Sequence, residues 1–350
     1  MEIKDLAGIS EPIKKLIEVV SVGVGSLSKP YLIRKTADAK AYEIKVIAQA
    51  IKDNQQDLKI IGFNEEKLSL ISLDDNSLKN ELSLEDRTQQ RIQFKEQKRQ
   101  KNIESITQKA ADHLEEENNV SDEPVNEDWT SRFFNYAEDI SNEETQELWS
   151  RILAGEIKKP KSYSLRALDI LRNLSTEEAE VFIKFGSLAI RSKGTAFLLN
   201  FKTEKLLKDK YQLNLKESLL LEELGLLAAN DLQFTVGKTD NASVQVVFLI
   251  GNAIVVYEKL KEKPEQKMQV FVFTKIAQEL LQLVNTIPKK EYIQLLATRL
   301  NRQNGKIQYA NILEELQNGQ VKHTGLINVP LTELEQENKN KKKQDESKKT

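Results

Sequence analysis

Histidine occurs at two positions, His113 and His323, and cysteine at none, so the side chains that most often carry nucleophilic or metal chemistry are nearly missing. Without cysteine there are no disulfides, thiolate metal sites, iron–sulfur clusters or thiol nucleophiles. A metal cage or a hydrolytic triad would have to use His113 or His323, and neither has a second histidine at ligand spacing. Carboxylates are plentiful, the notable ones being Glu138 with Asp139, Glu143 with Glu144, and Glu156. Neighbouring residues on a helix point about 100° apart, so an adjacent pair does not converge on one proton as general acid–base catalysis requires. Gly23 and Gly25 form a GxG that lacks a third glycine and a preceding strand, and no Walker A ending occurs, so no phosphate cradle is predicted. These residues read as non-enzymatic, with no catalytic residue, no cofactor and no metal.

Two further groups could bind rather than react. Trp129, Phe133, Phe134, Tyr136 and Trp149 have the composition of a base-stacking set, but acids dominate positions 122–147 and core packing is the expected role. Asp139 and Glu156, with Arg132 and Arg166, are expected to form an ion-pair cluster that holds helices in register. The residues predicted to organise an interaction scaffold are therefore Trp129, Phe133, Asp139, Trp149, Glu156 and Arg166. Arg87, Arg91, Lys95, Lys98, Arg99, Lys101 and Lys109 make one helix an electrostatic candidate for phosphate contact. Read from the sequence, those cations surround the helix, and Glu115–Glu117 close it, so a solvated face is the expected role.

The elements that must position these residues follow from pattern. A chain of 350 residues and 40.0 kDa exceeds one typical core and predicts two or three units. A formal charge of −2 and a mean hydropathy of −0.51 describe a water-soluble chain with no global field toward nucleic acid or anionic lipid. Residues 1–60 read as an amphipathic helical region, with Ile9, Ile13, Leu16, Ile17, Val20, Val24 and Leu27 in one stripe. Residues 61–86 read as a variable insert, and 87–124 as a long polar helix and hinge. That helix carries a heptad seam through Ile92, Glu96, Arg99, Ile103, Ile106, Ala110 and His113, which makes a coiled coil an option. Residues 125–192 read as a four-helix core unit with capping residues at Asp128, Ser141, Ser164 and Ser175. Residues 193–330 predict helix, strands and helix in a winged-helix-like module, and 331–350 a disordered tail. The predicted fold class is thus mainly α, with amphipathic and long amino-terminal helices, a central four-helix unit and a carboxy-terminal α+β winged-helix-like module. No early segment is long and apolar enough to span a bilayer, and a cytoplasmic protein is expected.

Asp128-Trp129, Arg132-Phe133-Phe134, Ala137-Glu138-Asp139-Ile140-Ser141, Gln146, Leu148-Trp149, Ile152-Leu153-Ala154-Gly155-Glu156 and Ser164-Leu165-Arg166 together resemble the core of an uncharacterised bacterial domain-of-unknown-function family. Leu6-Ala7-Gly8-Ile9-Ser10, Pro12, Lys15-Leu16-Ile17 and Ile33-Arg34 are more loosely similar to the opening of the abortive infection alpha proteins. The resemblance implies a bacterial protein of the cytoplasm, linked to phage resistance, and it implies no reaction. Its pattern at Thr274 runs into Thr-x-x-Gly, where this chain has Ala277. The function expected from residues and resemblance together is a scaffold that meets a protein partner or a second copy of itself, a sensor or effector in phage defence. Two alternatives stay open: a nucleic-acid-binding regulator acting through the winged-helix-like region, and a peripheral membrane effector acting through residues 9–27.

Overall fold

The computed structural model describes residues 10–25, 83–115, 117, 120–229, 232–237, 243–286, 288–315 and 320–331. These fall into two compact units, Met1–Ser162 and Tyr163–Thr350. Residues 1–9 and 26–60 of the expected amphipathic region, nearly all of the insert at 61–86 and the carboxy-terminal tail beyond residue 331 lie outside the described residues. The expected 125–192 segment spans the division between the units.

The described part of the first unit is helical: α1 Glu11–Val24, α2 Leu84–Leu114, α3 Glu127–Ala137 and α4 Glu143–Lys158. Each start is set locally. Pro12 occupies the first turn of α1, where a missing N–H costs nothing. Side-chain oxygens of Ser83, Asn126 and Asn142 accept from the N–H groups of Asp86, Trp129 and Thr145. The core collects Leu16, Ile17 and Val20 from α1, Ile103, Ile106, Ala110 and Leu114 from α2, Phe133 and Phe134 from α3, and Trp149, Ile152, Leu153 and Ile157 from α4. The described part of the amphipathic stripe of α1 is therefore covered by the chain itself. A Cβ on Gly23 would meet the Phe134 ring at 2.1 Å, so glycine is what lets α1 approach α3. The apolar half of the expected heptad seam, Ile103, Ile106 and Ala110, is used in this core rather than in a coiled coil with another chain.

The second unit opens with α5 Leu165–Asn173 and α6 Thr176–Gly186, the latter started by a capping box between Ser175 and Glu178. There follow β1 Ile190–Ser192, β2 Thr195–Leu199, α7 Lys205–Asp209, α8 Leu215–Glu223, β3 Leu232–Val236, β4 Val244–Ile250, β5 Ala253–Lys259 and β6 Gln266–Val272. The unit continues with α9 Lys275–Leu280, a 3₁₀ turn Leu281–Leu283, α10 Lys290–Arg299, β7 Gly305–Glu315, β8 Val321–His323 and β9 Ile327–Asn328. All nine strands join one antiparallel sheet in the order β3-β6-β2-β1-β4-β5-β7-β8, with β9 also on β7.

This corrects the mainly α reading and removes the winged-helix-like module: a sheet of this size, curled into a half-barrel, is the framework of the unit rather than a small wing beside helices. The strands β1, β2, β7, β8 and β9 went unrecognised in the sequence: β1, β8 and β9 are only two or three residues long, the buried apolar run of β2 carries no alternation to betray it, and β7 is a largely polar segment opened by Gly305. Ala196, Phe197, Leu198 and Leu199 are all buried. Register shows how the two faces separate. Val255 stands opposite Phe248 and Tyr309 on the main core, whereas Ile254 stands opposite Leu249 and Ala310 in a small cluster on the other side. The main core is tied by aromatic contacts, Phe197 on Phe234 at 4.6 Å and Phe201 on Phe271 at 5.0 Å.

Candidate partner-binding surface

The residues predicted as scaffold organisers are placed as follows. Trp149 and Phe133 are fully buried and Trp129 nearly so, with Trp129 stacked on Phe133 at 5.1 Å and Phe133 tilted against Trp149 at 5.3 Å. The Trp129 Nε1 donor is buried without an acceptor among the described residues. Asp139 is exposed and meets the guanidinium of Arg99 at 3.4 Å. Glu156 is buried and accepts from the Lys161 N–H at 2.6 Å. Glu156 also acts electrostatically on Lys15, whose ammonium donates to the carbonyls of Ser121 and Glu123. Burial pulls the Lys15 pKa below its ordinary value, against the opposing pull of Asp122, Glu18, Glu123 and Glu156. Arg166 is exposed and belongs to the second unit. Asp139 and Glu156 thus take partners, Arg99 and the Lys161 N–H with Lys15, that spacing along the chain did not indicate.

The unexpected feature is α2. Its 31 residues measure about 46 Å at the usual rise, but only the portion from Asn102 onward has a buried face. From Leu84 to Lys101 every side chain is exposed except the half-buried Thr88 and Arg99. Phe94 is 63% and Ile92 49% exposed.

Where α2 leaves the bundle it is pinned by polar contacts. The Arg99 guanidinium lies 3.1 Å from Glu138 and 3.3 Å from Glu96. Asn102 donates to the Glu138 carbonyl (2.8 Å), Ser105 donates to Gln146 Oε1 (2.7 Å), and His113 Nε2 meets Glu147 at 2.7 Å. The contacts that Arg99, Asn102 and Gln146 make had no signal in the sequence, because a polar contact across helices leaves no periodic trace.

Orienting α2 by its buried stripe separates its charges. Taking about 100° per residue, Arg87, Arg91, Lys95, Lys98 and Lys101 fall within an arc of about 120° whose centre lies about 110° round the helix from that of Ile103, Ile106 and Ala110, with Phe94 among them and Lys95 at the edge nearest the buried stripe. Glu85, Asp86, Glu96 and Glu104 fall outside that arc. None of the five cations is ion-paired with another described residue, whereas Arg99 and Lys109, off the arc or beyond the exposed half, pair with Glu138 and Glu143. The sequence reading that spread the cations round the helix missed this, because the reference direction comes only from packing.

Elsewhere the surface is less eventful. A hollow of about 280 Å³ in the second unit is lined by Asp169, Ile170, Asn173, Leu174 and Leu224. Among the described residues no group of three or more His, Asp or Glu is gathered as a metal site would need, and no helix is long and apolar enough to cross a membrane.

Residues 86–297 match a family described as a protein of unknown function, DUF2806. The chain belongs to the DUF2806 family. The DUF2806 span runs from the exposed half of α2 into α10 and takes in both tryptophans and the whole cationic arc. No curated protein and no solved structure matches the chain. The similarity of residues 6–34 to abortive infection alpha proteins is not shown by the DUF2806 match, which begins at residue 86.

Proposed function

We propose that this protein is a non-enzymatic interaction protein that presents the exposed half of α2 to a partner. The observation that carries the reading is the contrast within one helix: from Asn102 onward it is packed and pinned, while Leu84–Lys101 holds out Ile92, Phe94 and a cationic arc. A helix segment without tertiary contacts is marginal in water, so a partner that covers it also stabilises it. The side chains that would be first suspects for catalysis have structural company: Asp139 on Arg99, Glu156 on the Lys161 N–H, His113 on Glu147 and His323 Nδ1 beside the Thr324 carbonyl. Membrane attachment through α1 is less well supported, because Leu16, Ile17 and Val20 would first have to leave their own core.

A photo-crosslinking residue placed at Phe94 in cells should yield an adduct that the same residue at Glu177, exposed on α6, does not. Equal labelling at both positions, or none at Phe94, refutes the reading. The link to phage defence is a separate part of the proposal, resting on the resemblance of residues 6–34. Equal plaque numbers on cells with and without the protein would remove it.

A further inference from the structure

We propose that the cationic arc of α2 binds the phosphate backbone of duplex nucleic acid without reading its sequence. The inference rests on the exposed half of α2 being the partner surface and names the class of partner. Charge complementarity is the first argument. Arg87, Arg91, Lys95, Lys98 and Lys101 share one side of the helix, and no carboxylate of residues 84–101 interrupts it. The formal charge of the whole chain is −2, so attraction to a polyanion has to come from such a local stripe.

Dimensions are the second argument. Arg87 to Lys101 spans about 21 Å along the helix, which faces about six phosphates of one strand at 3.4 Å each. A helix with side chains is about 10–12 Å across and the major groove about 12 Å wide. Residues 84–101 carry almost no packed neighbour that would keep such a helix from lying against a duplex.

An anionic membrane fits less well. An interfacial helix needs a broad apolar face opposite its cations, and the exposed half of α2 offers only Leu84, Ile92 and Phe94, which do not share a side. Arginines and lysines on the arc meet phosphate as point charges and forks, and no amide or carboxylate lies within the arc to specify a base.

The test uses the full chain and a fluorescently labelled random-sequence DNA duplex, with anisotropy followed from about 50 to 200 mM salt. With up to five phosphates neutralised, log K should fall against log salt with a slope of about −4 to −5. Arg87→Glu, Arg91→Glu and Lys98→Glu together should weaken binding by about a hundredfold or more. A control of equal net charge, Lys205→Glu, Lys216→Glu and Lys261→Glu on the second unit, should bind as the intact protein does. Circular dichroism checks that both variants fold, and the milder Arg87→Gln, Arg91→Gln, Lys98→Gln set serves if the reversal does not.

Three results overturn the inference: no salt-dependent duplex binding by the intact protein, equal loss in the control, or capture by phosphatidylserine vesicles in place of duplex. If duplex fails while a crosslinker at Phe94 still labels a protein, the partner class falls and the surface stands. If both fail, both fall.

Discussion

At Trp149 the helical unit has an indole with no water on any side, wedged between Phe133 at 5.3 Å and Tyr136 at 6.2 Å. Replacing it by alanine removes a large buried volume that its neighbours cannot refill, and Trp149→Ala should cost about 3–5 kcal/mol, read as a lower urea midpoint. Gly23→Ala sets two effects against each other. Alanine gains about 1 kcal/mol of helix propensity over glycine, but its Cβ would stand 2.1 Å from the Phe134 ring, an overlap that costs about 1–3 kcal/mol when the core shifts. The clash wins, so Gly23→Ala should be destabilising, and adding Phe134→Leu should recover part of the loss. If Gly23→Ala stabilises the protein, the close approach of α1 to α3 is wrong.

Tyr292 in the sheet unit gives a pH signature. Its hydroxyl is buried and accepts from the Leu199 N–H, and burial holds its pKa well above the ordinary tyrosine value. A folded pKa raised above the unfolded value means that ionisation favours unfolding. Stability is therefore intact below about pH 10 and declines as pH climbs from there toward the folded pKa. Burial pushes Tyr211 and Tyr257 in the same direction. The urea midpoint should fall above that pH, and Tyr292→Phe should make the fall shallower. A midpoint independent of pH to strongly alkaline conditions would contradict this. Among single residues, the buried indoles were legible in the sequence because large apolar side chains at helical spacing have one usual destiny. Burial of Glu156 was not, since its partner is a backbone N–H five residues away.

Elements were read with uneven success, and the unevenness has a cause. Helices announce themselves by periodicity and caps: Ser164 and Ser175 start α5 and α6 as expected, and Thr274 starts α9 in the same way. Start residues shift where two candidate caps are close, Asn126 serving instead of Asp128 and Asn142 instead of Ser141. The helix α4 runs through Gly155 and continues to Lys158. The strands β1, β2 and β7 were lost because their identity comes from partners far along the chain: Leu198 pairs with Phe271, and Val255 with Tyr309. The most testable element is α2, whose existence was legible and whose division into packed and exposed halves was not. Hydrogen exchange should be markedly faster for amides of residues 88–101 than for residues 106–114, because the first stretch lacks side-chain packing. Uniform protection along α2 would mean that its amino-terminal half is covered.

On the scale of the molecule, the described residues divide into two compact units, and the DUF2806 match extends over parts of both. The kind of each unit was harder to foresee, since nine strands drawn from residues 190–328 must close into one sheet before any of them is recognisable as its member. Each unit has its own hydrophobic core, so Trp149→Ala should lower the stability of the helical unit and leave the alkaline response set by Tyr292 unchanged; a shift of both would show that the units unfold as one. Both tryptophans of the chain, Trp129 and Trp149, lie in the helical unit. Indole emission is consequently deaf to the nine-stranded sheet. A preparation that glows like the native protein has shown only that its helical unit is intact, and the sheet needs a probe of its own.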